Sequence, residues 1–182
     1  MDPVSYKCGY CGEHVGSNRG YCSITPGQGP TFRAYICGYC NGVTMFDDGR
    51  RHWPQAAQGN AVSALPPTVE ELYEEARACM SVHAYTAAVL ACRKLLMNTA
   101  VSKGAAANES FVEYVDYLAD NGYIPPDARP WVDHIRSKAN EATHDIPQTT
   151  EPDATKLVLM TEMLLRLVYE VPALVNPQAP AQ

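Results

Sequence analysis

Two copies of the tetrapeptide Cys-Gly-Tyr-Cys, at residues 8–11 and 37–40, constrain this chain more than any other feature. Each C-x-x-C hook offers two thiolates from one tight turn, and the glycine after the first cysteine lets backbone N–H groups point at sulfur. Two such turns facing each other supply four ligands in the tetrahedral arrangement that Zn²⁺ accepts. Cys8, Cys11, Cys37 and Cys40 are therefore the expected metal ligands, and four cysteines close the shell, so the ion is expected to be structural. The alternative is a pair of redox or disulfide cysteines. Residues 21–24 and 31–36 read as short strands, as a zinc ribbon over residues 1–46 requires. Such a ribbon is expected to have almost no apolar core, leaving the ion to hold it together. His14 follows the first hook and offers a substitute ligand. Cys22 reads as a strand residue, and Cys79 and Cys92 fall on apolar helix stripes as buried thiols.

Seven cysteines is an odd number, and the start of the chain has no basic segment followed by an apolar run. Metal ligands and reduced thiols are expected rather than a disulfide framework, in a soluble cytoplasmic protein. No stretch approaches the ~18 apolar residues a spanning helix needs, so no membrane contact is expected. Composition shifts near residue 60. The first part carries five basic residues against four acidic ones, whereas the chain as a whole carries 14 Lys+Arg against 20 Asp+Glu. That balance excludes a wholesale basic coat for nucleic acid while permitting a local patch. Residues 47–67, rich in Gly, Pro, Ala and Gln, read as a linker.

The remainder reads as helices. Thr68 and Glu71 have the capping-box form, and Leu72, Ala76, Cys79 and Met80 follow behind at helical period. Ala84, Ala88, Val89, Cys92, Leu95, Leu96 and Thr99 make a second stripe, ending before Gly104. Ser110 and Glu113 form another capping box, opening a short helix through Val115 and Leu118 that stops at Gly122. Trp131, Ile135, Ala139 and Ala142 mark a fourth helix, ended by Pro147. Residues 157–171 form the last. They are apolar on two sides, which places that helix at the centre of its bundle or against a partner subunit, and the second is favoured because a small bundle has few central positions.

On the fourth of these helices Arg136, Asn140 and His144 are spaced four and four, a polar stripe roughly 12 Å long. A guanidinium and an imidazole on one line suit a phosphodiester: arginine binds non-bridging oxygens, and histidine moves a proton at a ribose 2′-hydroxyl. The competing reading is structural, with Asn140 and His144 bonding backbone or a neighbouring helix and Asp145 orienting the imidazole. Arg50, Arg51, His52 and Trp53 combine charge with a stacking ring, as a contact to single-stranded nucleic acid would. A solvated turn is the simpler reading.

These helical residues resemble the family called domain of unknown function 4145, a relative of the HEPN superfamily of small helical bundles. The likeness covers about residues 68–172. It rests on residues 72–76 (LYEEA), 84–88 (AYTAA), Cys92 with Arg93 and Lys94, residues 118–124, Arg136 with Asn140 and His144, and residues 169–172 (YEVP). Members often carry a zinc-ribbon-like head. The resemblance implies a bundle of about five helices, commonly a homodimer, often encoded with restriction, toxin–antitoxin or antiviral systems. In catalytic HEPN relatives an Arg and a His four to six residues apart meet across the dimer axis and cut RNA. Here seven residues intervene, and Ala139 stands where many of those nucleases place arginine. The expected fold is α+β: ribbon 1–46, linker 47–67, HEPN-like domain 68–172 and a flexible tail 173–182. The expected function is a zinc-binding, non-enzymatic module contacting RNA, DNA or a partner protein. The alternative is a metal-independent endoribonuclease using Arg136, Asn140 and His144.

Overall fold

A computed structural model describes residues 1–23, 32–47, 51–125 and 149–176. It is mixed α+β and divides into two compact units, one of residues 1–58 with 80–83, the other of residues 59–79 with 84–182.

The first unit is built from antiparallel strands. β1 (Val4–Lys7) pairs with β2 (His14–Ser17) in a two-stranded sheet. β3 (Gly20–Cys22), β4 (Phe32–Ile36), β5 (Val43–Asp47) and β6 (His52–Trp53) form a four-stranded sheet in that order. β3 and β4 fall where strands are expected, with Ile24 and Thr31 outside the described residues. The flanking strands β1, β2 and β5 leave little mark in the sequence, because each is short and its alternation is weak.

This unit holds more of a core than expected. Tyr6, Cys8, Tyr35 and Cys37 are buried, with Val4, Cys11, Val15 and Phe46 against them. Phe46 meets Tyr6 and Tyr35 edge-on, with ring centroids 5.2 and 5.6 Å away. Side chains alternate along a strand. Tyr35 and Phe46 therefore face this core, and Tyr21, Phe32, Val43 and Met45, all exposed, lie on the other face of the sheet.

Within the expected linker 47–67, residues 52–53 and 59–63 are held by their neighbours. His52 and Trp53 extend the sheet, and His52 stacks on Phe46 at 5.1 Å. Residues 59–63 form a strap on the helical unit. The backbone N–H and side-chain amide of Asn60 donate to the buried Glu162 carboxylate at 2.9 and 3.1 Å. The Tyr73 hydroxyl donates to Asn60 O, an Arg166 N–H donates to Ala61 O, and Val62 enters the core.

The described helices include α1 (Pro67–Ser81), α2 (Tyr85–Ser102), α3 (Phe111–Asp120) and α4 (Glu151–Leu165). The expected helix carrying Trp131 to Ala142, and Pro147 after it, lies outside the described residues. α1 begins one residue before Thr68, so Thr68 sits inside the helix and the expected capping box does not open it. Pro67, whose ring pre-sets helical φ and whose missing N–H costs nothing there, takes the first position. The Ser110–Glu113 box forms as expected.

α2 buries Ala88, Ala91, Cys92, Leu95, Leu96, Thr99 and Ala100. It packs against α3 and α4. Tyr73, Leu95 and Leu165 are fully buried beside Val62 and Val69.

α4 starts six residues earlier than expected. Thr150 caps it by accepting from Asp153 N–H, and Pro152 follows. It continues through a π-helical segment, Arg166–Glu170, into a last short helix, Val171–Val175, which ends three residues into the expected tail. The wider turn precedes Pro172, whose ring would clash with the carbonyl of Val168 in an uninterrupted α-helix. Two sides of α4 are buried, and Leu159 and Met163, with Leu167 in the next turn, leave a third side exposed. No described helix is long and apolar enough to cross a membrane.

Candidate metal centre

Each cysteine hook is the turn of a hairpin. Residues 8–13 join β1 to β2, and residues 37–42 join β4 to β5. The two turns repeat one another bond for bond. Cys8 N–H donates to Glu13 O and Gly12 N–H to Cys8 O, at 2.9 and 3.0 Å. Cys37 N–H donates to Gly42 O and Asn41 N–H to Cys37 O, at the same two distances. The residue after the second cysteine has positive φ in both, +73° at Gly12 and +60° at Asn41. Glycine and asparagine are the residues that enter this left-handed region at least cost. A hook therefore predicts a strand on each side of it, the signal by which β1, β2 and β5 could have been found.

The hairpins bring Cys8, Cys11, Cys37 and Cys40 together, with every pair of sulfurs within 4.8 Å. Cys8 Sγ lies 3.7 Å from Cys40 Sγ, and Cys11 Sγ 3.9 Å from Cys37 Sγ. Metal–sulfur bonds of about 2.3 Å in a regular tetrahedron give sulfur–sulfur edges of about 3.8 Å. A disulfide needs about 2.05 Å. All seven cysteines are free thiols, and the residues present fit a tetrahedral metal ion. His14 stands on β2 opposite Lys7, outside the cluster.

Backbone N–H groups aim at the sulfurs as the hooks predict. Tyr10 N–H reaches Cys8 Sγ, Tyr39 N–H reaches Cys37 Sγ and Gly42 N–H reaches Cys40 Sγ, each at 3.4 Å. N–H donation from Cys40 lowers the Cys37 thiol to about 7, against burial, with Tyr39 N–H and the sulfurs of Cys40 and Cys8 adding to it. At Cys11 the N–H of Glu13 favours the thiolate, but burial and the three neighbouring sulfurs outweigh it and push the thiol up to about 12. Four sulfurs this close cannot all ionise without a cation between them. Burial and the charges of Cys37 and Cys8 push the Tyr6 phenol up to about 12 as well. It donates to Tyr35 O at 3.4 Å.

Other expected residues are accounted for separately. Arg136, Asn140 and His144 lie outside the described residues, as does Arg50. Arg51 pairs with Asp47 at 2.9 Å and its exposed guanidinium lies 5.9 Å from the Trp53 ring centroid. Arg93 lays its guanidinium on Phe111. Cys22 is exposed on β3. Cys92 is fully buried, its thiol pushed up to about 12 by burial; Cys79 is partly buried and also raised.

A family model, described as Domain of unknown function (DUF4145), matches residues 74–179, more than half of the 182. The chain belongs to the DUF4145 family. No curated protein and no solved structure matches it. The DUF4145 match begins inside α1 and leaves out both the metal centre and the 59–63 strap.

Proposed function

We propose that this chain is a non-enzymatic interaction module. Its zinc-ribbon head docks a partner macromolecule, and its HEPN-like helical body pairs as a homodimer in the cytoplasm of a prokaryote. A defence, restriction or toxin–antitoxin setting follows from the resemblance alone. The observation that carries this reading is the set of four sulfurs at tetrahedral separations. A closed set of cysteines is the zinc arrangement that leaves no position for water or substrate. The ion's work is then to hold two hairpins in register so that their surface can be recognised.

Charge weighs between the partners. Four thiolates around one divalent ion carry two net negative charges. The five basic and four acidic residues of the first sixty then sum to one negative charge rather than one positive. Nucleic-acid binding draws most of its affinity from phosphate contacts. A protein partner on the exposed Tyr21, Phe32, Val43 and Met45 face is therefore favoured over nucleic acid. The exposed Leu159, Met163 and Leu167 side of α4 and the turn after it supports pairing of the body. Metal analysis of the purified chain is expected to give about one zinc per chain. A folded first unit with no metal would overturn the ribbon. The ribonuclease alternative, with Arg136 and His144 as its residues, replaces this reading if the dimer cuts RNA in EDTA and both alanine variants do not.

A further inference from the structure

The four sulfurs are alike in chemistry but not in exposure. Cys8 and Cys37 are at 0% exposure, Cys11 is partly exposed and Cys40 is exposed. In each hook the first cysteine is sealed and the second opens toward solvent. All four sulfurs lie within 4.8 Å of one another, so a sulfur has neighbours on the other hook as well as on its own. Cys40 touches Cys8 and Cys11 touches Cys37, each pair drawn from both hairpins. A small oxidant entering from solvent thus meets Cys40 first, and Cys8 of the other hook lies 3.7 Å from that sulfur.

We propose that the metal centre is also an oxidation site for hydroperoxides, in which Cys40 reacts first and is resolved by Cys8 across the two hooks. The proposal rests on the reading that the centre holds zinc, because the ion keeps the sulfurs as thiolates, the form that reacts. The Cys40 thiolate attacks one peroxide oxygen, the O–O bond breaks, and the chain is left with a sulfenic acid while hydroxide departs. The Cys8 thiolate attacks the sulfenic sulfur, a second hydroxide leaves, and an S–S bond forms. Two thiolates have lost two electrons to one peroxide, which ends as two hydroxides when the peroxide is hydrogen peroxide. The sulfurs must close from 3.7 Å to about 2.05 Å. With two of four ligands consumed the shell no longer holds the ion, which leaves as a divalent cation.

Which cysteines join decides what becomes of the head. A Cys8–Cys40 bond ties the β1–β2 hairpin to the β4–β5 hairpin, residues 32 apart, and replaces the ion's tie with a covalent one. The aromatic core of Tyr6, Tyr35 and Phe46 then survives loss of the metal. A bond within either hook, Cys8 to Cys11 or Cys37 to Cys40, would leave the hairpins untied. Cys22, Cys79 and Cys92 stand outside the cluster.

The test uses the full chain carrying Cys22→Ser, which removes an exposed bystander thiol without touching a ligand. Its zinc content is measured first, and a preparation that binds no zinc overturns both this proposal and the ribbon reading. The loaded chain is then titrated with hydrogen peroxide while released zinc is followed with a chromogenic chelator and disulfides are mapped by peptide mass spectrometry. About one zinc released per peroxide consumed, a Cys8–Cys40 cross-linked peptide and a retained near-ultraviolet tyrosine signal are expected. Dithiothreitol with fresh zinc should restore the starting state. Zinc bound but not released, a first bond inside a single hook, or oxidation confined to Cys79 and Cys92 overturns this proposal and leaves the ribbon standing.

Discussion

Gly9 and Gly38 each follow the first cysteine of a hook, and a Cβ added at each would meet very different surroundings. At Gly9 it would lie 1.9 Å from the carbonyl oxygen of Pro54, whereas at Gly38 it would have nothing within 4 Å. The two hooks match internally, so the contrast comes from what packs outside them. Backbone cannot swing aside as a side chain does, so Gly9→Ala is expected to destabilise the metal-loaded chain by roughly 1–3 kcal/mol. Gly38→Ala should stay within about 0.5 kcal/mol of wild type. Denaturant unfolding followed by tyrosine fluorescence reads both, and equal effects would contradict the Pro54 contact. The tetrapeptides are identical and give no hint of this difference. The gathering of the four cysteines, by contrast, was legible because residue type and spacing alone point to it. Glu162 was not. Its carboxylate holds Asn60 and pairs with Arg166 at 3.0 Å, yet in sequence it is one more acid on an apolar helix. Those partners lower its pKa even though burial opposes them, and the Asn60 partner is 102 residues away.

At the scale of elements, two motifs with the same sequence form meet different fates. Ser110 accepts from Glu113 N–H, and the Glu113 carboxylate accepts from Ser110 N–H at 2.7 Å. Thr68 and Glu71 fit the same pattern, but Pro67 before them already occupies a helical position. A capping box needs its first residue outside the helix, and the preceding proline decides whether it is. Ser110→Ala is therefore expected to cost about 1 kcal/mol, while Thr68→Ala stays within about 0.5 kcal/mol. Thermal unfolding followed by circular dichroism checks the pair, and a larger loss at Thr68 would place α1's start one residue later. The same logic explains α4. Thr150 with Asp153 signals its start, but the helix could be read only from Leu157 because the first turn holds too little apolar periodicity. Apolar stripes located α2 and α3 well, since 3.6-residue periodicity over ten or more residues is a strong signal. The strands of three to five residues carry too few alternations to compete with turn composition.

At the scale of the molecule, the sequence divides by composition near residue 60 and the contacts divide between residues 58 and 59. Between them the sequence suggests a loose connection, because Gly, Pro and Ala carry no periodicity. What holds residues 52–53 and 59–63 is backbone pairing and partners distant in sequence, and neither leaves a local mark. The two cores are closed each within its own unit: Tyr6, Cys8, Tyr35 and Cys37 in one, Val62, Val69, Tyr73, Leu95 and Leu165 in the other. The first, with Phe46 against it, is three rings around two of the four clustered cysteines. A unit of this size, residues 1–58 with 80–83, is marginal on burial alone, and a core this small gains from a metal or cross-link. The second is stabilised by helix packing that involves no ligand. Removing the ion with a strong chelator in reducing buffer at neutral pH should therefore abolish the tyrosine near-ultraviolet signal and the protection of β4 and β5 amides. The helical far-ultraviolet signal should persist, along with a separate thermal transition. Readdition of zinc should restore the first without changing the second. Loss of the helices on chelation in a single step would mean that the body's stability depends on the metal centre, and that the two cores do not fold as separate units.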